Sequence, residues 1–149
     1  MRCLAEAGGD DAAKGPAVDP EVLKKAIADG KAVYATCAAC HQPTGMGMAP
    51  VFPPLAGSNW VNSLSNEELA KLTLYGLQGE ITVNNQKFSG MMPGQGMMLD
   101  DQKIADVLTF VKNSWENSGG YVSAGEVKAV RDANAGQAML KQTDFKTLK

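Results

Sequence analysis

Histidine, arginine and long apolar runs are what this 149-residue sequence has least of. His41 is its single histidine, which excludes a metal site built from several imidazoles. Arg2 and Arg131 are the only arginines and the formal net charge is −2, which excludes a basic surface for nucleic acid. No apolar run approaches the roughly 20 residues that a membrane-spanning helix needs. The length is typical of one domain, in which His41 must carry any imidazole chemistry.

The two ends of the chain differ in composition from its middle. Residues 1–17 are rich in Ala, Gly and Asp and are predicted to form a flexible leader. Cys3 is open to two interpretations: a vestigial residue, or a lipidated cysteine that anchors the domain to a membrane through an acidic tether. Residues 18–132 are predicted to form the domain. Residues 133–149 would be a C-terminal extension, either a docking segment or a loosely packed cap.

Four segments begin with helix-capping signals. Asp19 precedes Pro20, Ser65 and Ser123 each stand three residues before a glutamate, and Asp100 offers a further cap. Apolar residues of the third segment recur at helical spacing, which supports the same interpretation. The predicted helices span residues 19–38, 65–76, 100–116 and 123–132.

The segments between these helices are rich in glycine and proline. Residues 42–63 contain four prolines and three glycines, so most of this stretch is predicted to be irregular. Residues 89–98 contain three glycines, Pro93 and four methionines and are likewise predicted to be a loop. Residues 81–88 favour a small β-hairpin. Since only 6% of the residues are aromatic, we expect something other than side chains to fill the middle of the domain.

The chemistry-bearing motif is Cys37-Ala38-Ala39-Cys40-His41, which is the attachment signal for a c-type haem. Two thiols near a helix end can each add to a vinyl group of one porphyrin, and the adjacent histidine then reaches the iron. Three alternatives are weaker. Zinc would need Cys3 as a fourth ligand, and Cys40 and His41 are neighbours that fit one tetrahedron poorly. A redox Cys-x-x-Cys belongs beside a strand–helix unit, which is not evident here, and a chance match is the third.

Eight methionines accompany the single histidine. Met46, Met48 and Met139 are interpreted as core or loop residues. The other internal methionines flank a Pro-Gly-Gln-Gly stretch about fifty residues after His41, where a loop could present one sulfur to the far side of a macrocycle. Pro93 would stiffen the backbone beside Met92, which makes Met92 the preferred ligand. The remaining candidates are Met91, Met97 and Met98.

With these motifs the chain resembles the class I c-type cytochromes, most closely the bacterial monohaem type, over residues 20–131. The resemblance rests on the following stretches: Gly30-Lys31-Ala32-Val33-Tyr34 before CAACH, Phe52-Pro53-Pro54-Leu55-Ala56-Gly57, Met92-Pro93, and Ile104-Ala105-Asp106-Val107-Leu108-Thr109-Phe110-Val111. It implies an all-α cytochrome c fold of about four to five helices around one covalently bound haem, with long loops and at most one tiny hairpin.

The resemblance also implies roles for individual residues. His41 would be the proximal ligand and Met92 the distal one. The carbonyl of Pro53, or of the adjacent Pro54, would accept the imidazole N–H, which fixes the ring. In the family the first and last core helices cross with a small residue against an aromatic one, and Gly30, Tyr34 and Phe110 match those roles. The expected pocket-lining residues are Leu55, Trp60, Leu72, Leu74, Ile81 and Phe88.

With both axial positions filled, the sequence predicts a one-electron carrier and not an enzyme. The resemblance implies a periplasmic protein, or one on the outer face of the cytoplasmic membrane, that docks transiently on membrane-bound redox complexes. We expect that docking to be assisted by charge and weakened by salt. The alternatives are a permanently bound haem subunit of a respiratory assembly and a haem catalyst with an open sixth position.

Overall fold

The computed structural model describes residues 18–145 and residue 148. The described part contains five α-helices, one antiparallel two-stranded sheet and a final 3-10 turn. In chain order these are α1 Pro20–His41, α2 Asn59–Ser63, α3 Asn66–Tyr75, β1 Gly76–Val83, β2 Gln86–Pro93, α4 Asp101–Lys112, α5 Ala124–Ala133 and the 3-10 helix Gln142–Asp144. The predicted fold class, all-α with about four to five helices and at most a small hairpin, agrees with these elements. The predicted leader and Cys3 lie outside the described residues.

All four predicted capping signals form. Asp19 accepts a hydrogen bond from the backbone N–H of Glu21, and Asp100 accepts one from that of Lys103. Ser65 and Ser123 each form a reciprocal capping box with the glutamate three residues later. The four predicted helices are therefore present, with ends shifted by a few residues. The short helix α2, within the stretch predicted to be irregular, begins at a cap provided by Ser58.

Helix α4 ends earlier than predicted because the chain turns to seat an aromatic ring. Trp115 and Glu116 have φ values of 51° and 66°, which a helix cannot contain. The turn packs the Trp115 ring against Tyr34 and Phe110, with centroids 5.3 and 5.6 Å apart. Packing with α1 therefore overrides the helical pattern beyond Lys112.

Helices α1 and α4 cross at a glycine, as the family resemblance implies. A Cβ atom added at Gly30 would overlap the carbonyl oxygen of Asp106 and the Cβ of Phe110, so no other residue allows this approach. The rings of Tyr34 and Phe110 meet beside it, with centroids 5.4 Å apart. This crossing holds the end of α1, and with it His41, in a fixed position relative to α4.

The hairpin is longer than predicted. It turns at Asn84 and Asn85, both in the left-handed region that a two-residue hairpin turn requires, and its strands pair from Gly76–Pro93 to Val83–Gln86. Residues 89–93, predicted to be loop, are therefore strand. Among the described residues, no helix is long and apolar enough to cross a membrane.

Candidate functional site

The cysteine–histidine motif occupies the last turn of α1. Cys37 and Cys40 are free thiols, both partly buried, and at a spacing of three they are neighbours on one side of the helix. Burial raises the pKa of the Cys37 thiol, and the nearby Cys40 adds to the effect. Cys37 is therefore a thiol and not a thiolate at neutral pH, and it is a weak nucleophile until another agent activates it.

His41 is buried, with 8% of its surface exposed, and its ring is held by one hydrogen bond. Its Nδ1 lies 2.9 Å from the carbonyl oxygen of Pro53, so Nδ1–H donates and Nε2 keeps a free lone pair. Burial lowers the pKa of His41, although the bond to Pro53 opposes this. The imidazole is therefore neutral near pH 7, which is the form that binds a metal.

The loop after α1 is folded so that Pro53 meets His41. The backbone N–H of Gly47 donates to the carbonyl of His41 at 3.0 Å, and that of Leu55 donates to Gly45 at 2.7 Å. Gly47 has a φ of +67°, and a Cβ there would overlap the backbone of Pro53. A glycine is required at this contact because the two stretches of backbone touch.

Two adjoining cavities, of about 300 and 100 Å³, open beside this motif. Residues from α1, the Pro53 loop and the hairpin line both of them: Cys37, His41, Pro53, Leu77, Ile81 and Met92. Every residue that lines the larger cavity is uncharged. The crevice is therefore an apolar slot with an imidazole, two thiols and thioethers in its walls.

One face of the hairpin forms a wall of the larger cavity. Cross-strand partners share a face, and the pairs on this one are Leu77–Met92, Gly79–Gly90 and Ile81–Phe88, all of which line the cavity. Gly79 has a φ of +87° and nothing within 4 Å of where a Cβ would stand. Gly79 therefore leaves a gap in the wall between two pairs of apolar side chains, whereas the space beside Gly90 is occupied by Val51.

The register of the hairpin distinguishes Met91 from Met92. Met92 is partly buried opposite Leu77 and lines both cavities. Met91 pairs with Gln78 on the other face, is 66% exposed and lines only the larger cavity. Met98 also lines the larger cavity but is 75% exposed, and Met97 lines neither cavity.

The other expected lining residues divide between the two cavities and the core. Leu55, Trp60 and Leu72 line the smaller cavity, and Ile81 and Phe88 the larger. The indole N–H of Trp60 donates to the carbonyl of Thr82 at 2.8 Å, so this ring offers the cavity its apolar surface. Leu74 was expected in the lining but lines neither cavity; it packs beside Gly96, on a different side of α3 from Leu69, Leu72 and Thr73.

Sequence reasoning missed several lining residues, among them Leu77, Gly79 and Gly90. The Asn84–Asn85 dipeptide indicates a hairpin turn, and counting outward from it places alternate residues from 77 to 81 opposite alternate residues from 88 to 92, as observed. Among the described residues, no three His, Cys, Asp or Glu side chains cluster to hold a metal ion. A pair of thiols, an imidazole with a free Nε2 and an apolar slot with a thioether in its wall form a donor set that fits covalent haem c.

Several known proteins are similar to this chain in sequence. The family model described as Cytochrome c matches residues 27–115. Cytochrome c-552 of Thermus thermophilus is 39% identical over 117 residues, covering 73% of this chain and 78% of that protein. The cytochrome c subunit of the alcohol dehydrogenase (quinone) of Gluconacetobacter polyoxogenes is 39% identical, covering 66% of this chain and 21% of that protein.

The gluconate 2-dehydrogenase cytochrome c subunit of Pantoea cypripedii is 31% identical, and the alignment covers 99% of this chain and 35% of that protein. The family model alone accounts for more than half of the chain. The resemblance stated from the sequence is thereby confirmed: the chain belongs to the cytochrome c family, whose members hold a covalent haem c and transfer electrons.

Proposed function

We propose that this cytochrome is a one-electron carrier whose haem c is attached through Cys37 and Cys40 and ligated by His41 and Met92. One observation carries the proposal: the single imidazole of the chain, from α1, and a thioether from the hairpin line the same apolar cavities. When bound, haem c supplies an iron that gains or loses one electron.

The residues of the His41 side prepare the nitrogen ligand. The Pro53 carbonyl accepts the Nδ1 proton, which fixes the tautomer and directs the lone pair of Nε2 away from Pro53. Low pKa and burial keep that nitrogen unprotonated at neutral pH. Cys37 and Cys40 would hold the haem by thioether bonds, in which the sulfur and the hydrogen of each thiol add to the two carbons of one vinyl group.

The residues of the hairpin side supply a soft ligand and exclude water. A thioether favours the reduced metal, and the apolar walls disfavour the state of higher charge, so both raise the reduction potential. With Met92 as the sixth ligand no position is open to a substrate. We therefore infer a carrier and not a catalyst.

The decisive test compares Met92→Ala with Met91→Ala. These neighbours are identical in chemistry but lie on opposite faces of β2, so Met91→Ala is a matched control. We expect Met92→Ala to abolish the weak sulfur-to-iron absorption at the red end of the ferric spectrum and to allow carbon monoxide to bind. Met91→Ala should keep the band. Persistence of the band in Met92→Ala, or its loss in Met91→Ala, would contradict the assignment.

We further propose that electrons pass at the mouth of the larger cavity and that partners contact it through an apolar face. Val51, Met91 and Met98 line this cavity and are 45%, 66% and 75% exposed. No charged residue lines this cavity, so we propose an uncharged contact here, which responds weakly to salt; charge-assisted docking stays the alternative prediction. A membrane redox complex with an uncharged contact surface fits this rim.

A charge placed on the rim tests the docking surface. Val51→Lys should slow reduction of the cytochrome by membranes of the source organism by roughly tenfold, because the partner face must then bury a charge. Val22→Lys is the matched control, since Val22 is equally exposed at the start of α1 and lines neither cavity. Equal rates for the two variants, or a steep loss of rate of the unmodified protein in salt, would contradict an apolar docking face.

A second candidate, a permanently bound haem subunit, is favoured by one finding: the relative whose alignment covers 99% of this chain is named as a dehydrogenase subunit. Gel filtration of native extracts distinguishes the two. A carrier elutes at the mass of one chain, whereas a subunit elutes with its assembly.

We propose a location on the outer face of the cytoplasmic membrane. Intact mass of the native protein tests lipidation of Cys3.

A further inference from the structure

The segment after α5 returns to the domain and pairs with the free edge of β1. The backbone N–H of Leu140 donates to the carbonyl of Gly76 at 3.0 Å, and the N–H of Gln78 donates to the carbonyl of Leu140 at 2.8 Å. Leu140 is 1% exposed and forms a parallel bridge with Leu77. We call residues 139–145 the C-terminal strap. Strand β1 therefore lies between the strap and β2.

A second group of contacts fixes the strap at the other end of β1. The side-chain carbonyl of Gln142 accepts the backbone N–H of Thr82 at 2.9 Å. Phe145 is buried, and its ring packs on Trp60 with centroids 5.6 Å apart. Trp60 in turn donates to the carbonyl of Thr82. The strap thus contacts β1 at both ends of the stretch that lines the cavity.

The position of the strap relative to Met92 gives it a role. Leu77, the residue that bridges to Leu140, is the cross-strand partner of Met92. A hairpin of two strands is marginally stable by itself and needs a further strand or a packed face to be well ordered. The strap supplies this further strand, on the edge of β1 that does not pair with β2.

We infer that the strap is a positioning element: it holds β1 in place and thereby keeps Met92 at the iron. This inference rests on the proposed function, in which Met92 is the sixth ligand. The strap lies beyond residues 27–115, the part that the family model matches. The position of Met92, which lies within the part that the family model matches, would therefore depend on contacts of the strap, which lies outside that part.

The test separates local positioning from general stability. Leu140→Ala removes the buried side chain of the strap, and Val127→Ala removes a comparably buried side chain of α5 that lines neither cavity. Both should lower the free energy of unfolding. Only Leu140→Ala should speed imidazole binding to the ferric protein, a rate limited by departure of Met92, by about tenfold or more.

A milder variant and a second measurement complete the test. Gln142→Ala deletes one hydrogen bond and should speed imidazole binding about threefold while leaving the fold intact. Amide hydrogen exchange over residues 76–93 should accelerate in both strap variants and not in Val127→Ala. Equal imidazole rates and equal exchange in Leu140→Ala and Val127→Ala would overturn the inference.

These outcomes differ from a failure of the proposed function. If Met92 is not the ligand, Met92→Ala keeps its sulfur-to-iron band, while exchange over residues 76–93 still responds to the strap variants. If the strap does not position Met92, the band disappears in Met92→Ala, but imidazole binds Leu140→Ala no faster than Val127→Ala.

Discussion

The two walls of the cavity are built from very different lengths of sequence. On one wall Cys37, Cys40 and His41 share a helical turn, and the carbonyl that fixes the imidazole comes from Pro53, twelve positions after His41. On the other wall Met92 stands on a hairpin whose outer edge is completed by Leu140. The first wall is thus a local structure and the second depends on distant pairing. We therefore expect the His41 wall to control attachment of the haem and the hairpin wall to control the sixth ligand.

The largest expected effect breaks the local wall. Replacing both Cys37 and Cys40 by alanine should abolish covalent attachment, because no other described cysteine lies near the cavity. The mass of the denatured protein should drop by one haem. Met92→Ala should retain the covalent haem in the same measurement. Loss of the covalent haem in Met92→Ala would contradict the expectation that the His41 wall alone controls haem attachment.

The next effect concerns the loop that delivers Pro53. Gly47→Ala should destabilise the protein by about 3 kcal/mol or more, because φ is +67° and the new methyl group overlaps Pro53. Gly57→Ala is the matched control: its φ is +64° and nothing lies within 4 Å, so only strain of about 1–2 kcal/mol is expected. Denaturant unfolding measures both. Equal losses would mean that the contact of Gly47 with Pro53 does not matter.

The local wall is also the part that the sequence predicted best. The Cys-x-x-Cys-His motif identified His41 without any tertiary information, and the family resemblance indicated Pro53. The capping signals predicted the helices because each capping box involves only four consecutive residues. Contacts between residues that are at most about a dozen positions apart can be recognised as motifs in the sequence.

The hairpin wall was predicted less completely, for physical reasons. Glycines at 76, 79 and 90 interrupt the apolar alternation, so the sequence predicts strands that are shorter than the observed ones. Which of Met91 and Met92 shares a strand face with Leu77 depends on register, which cross-strand pairing decides. Leu140 ends the short apolar run from Ala138, and Phe145 follows four polar residues. Neither shows a helical or strand period, so only the packed fold reveals that they are buried.

A smaller effect tests the gap in the hairpin wall. Gly79→Ala and Gly136→Ala have similar strain, with φ values of +87° and +83° and open space around each new methyl group. Each should cost about 1–2 kcal/mol of stability. Only Gly79 lines the cavity, so only Gly79→Ala should shift the haem absorption spectrum. Identical spectra would indicate that the gap does not face the haem.

The smallest effect concerns the helix crossing that holds the His41 wall. Burial raises the pKa of Asp106, although a hydrogen bond from Gln102 opposes this. The folded state therefore binds the proton more tightly than the unfolded state, and stability falls as pH rises from the unfolded pKa of about 3.8 through the folded one. Asp106→Asn should stabilise the protein at pH 7 by under about 1 kcal/mol, and not at pH values below 3.8. Thermal melts at both pH values measure the difference, and a loss of stability at pH 7 would contradict it.

The position of the strap in the chain gives assembly an order. Leu140 follows the two thiols by about a hundred residues, so a chain that emerges from its amino end presents Cys37 and Cys40 well before the last strand exists. During that interval the edge of β1 is unpaired and the crevice has only part of its frame. The two thiols are thus available before the strand that completes the frame around Met92 exists. Pairing of Leu140 with β1 then completes the frame around the finished site.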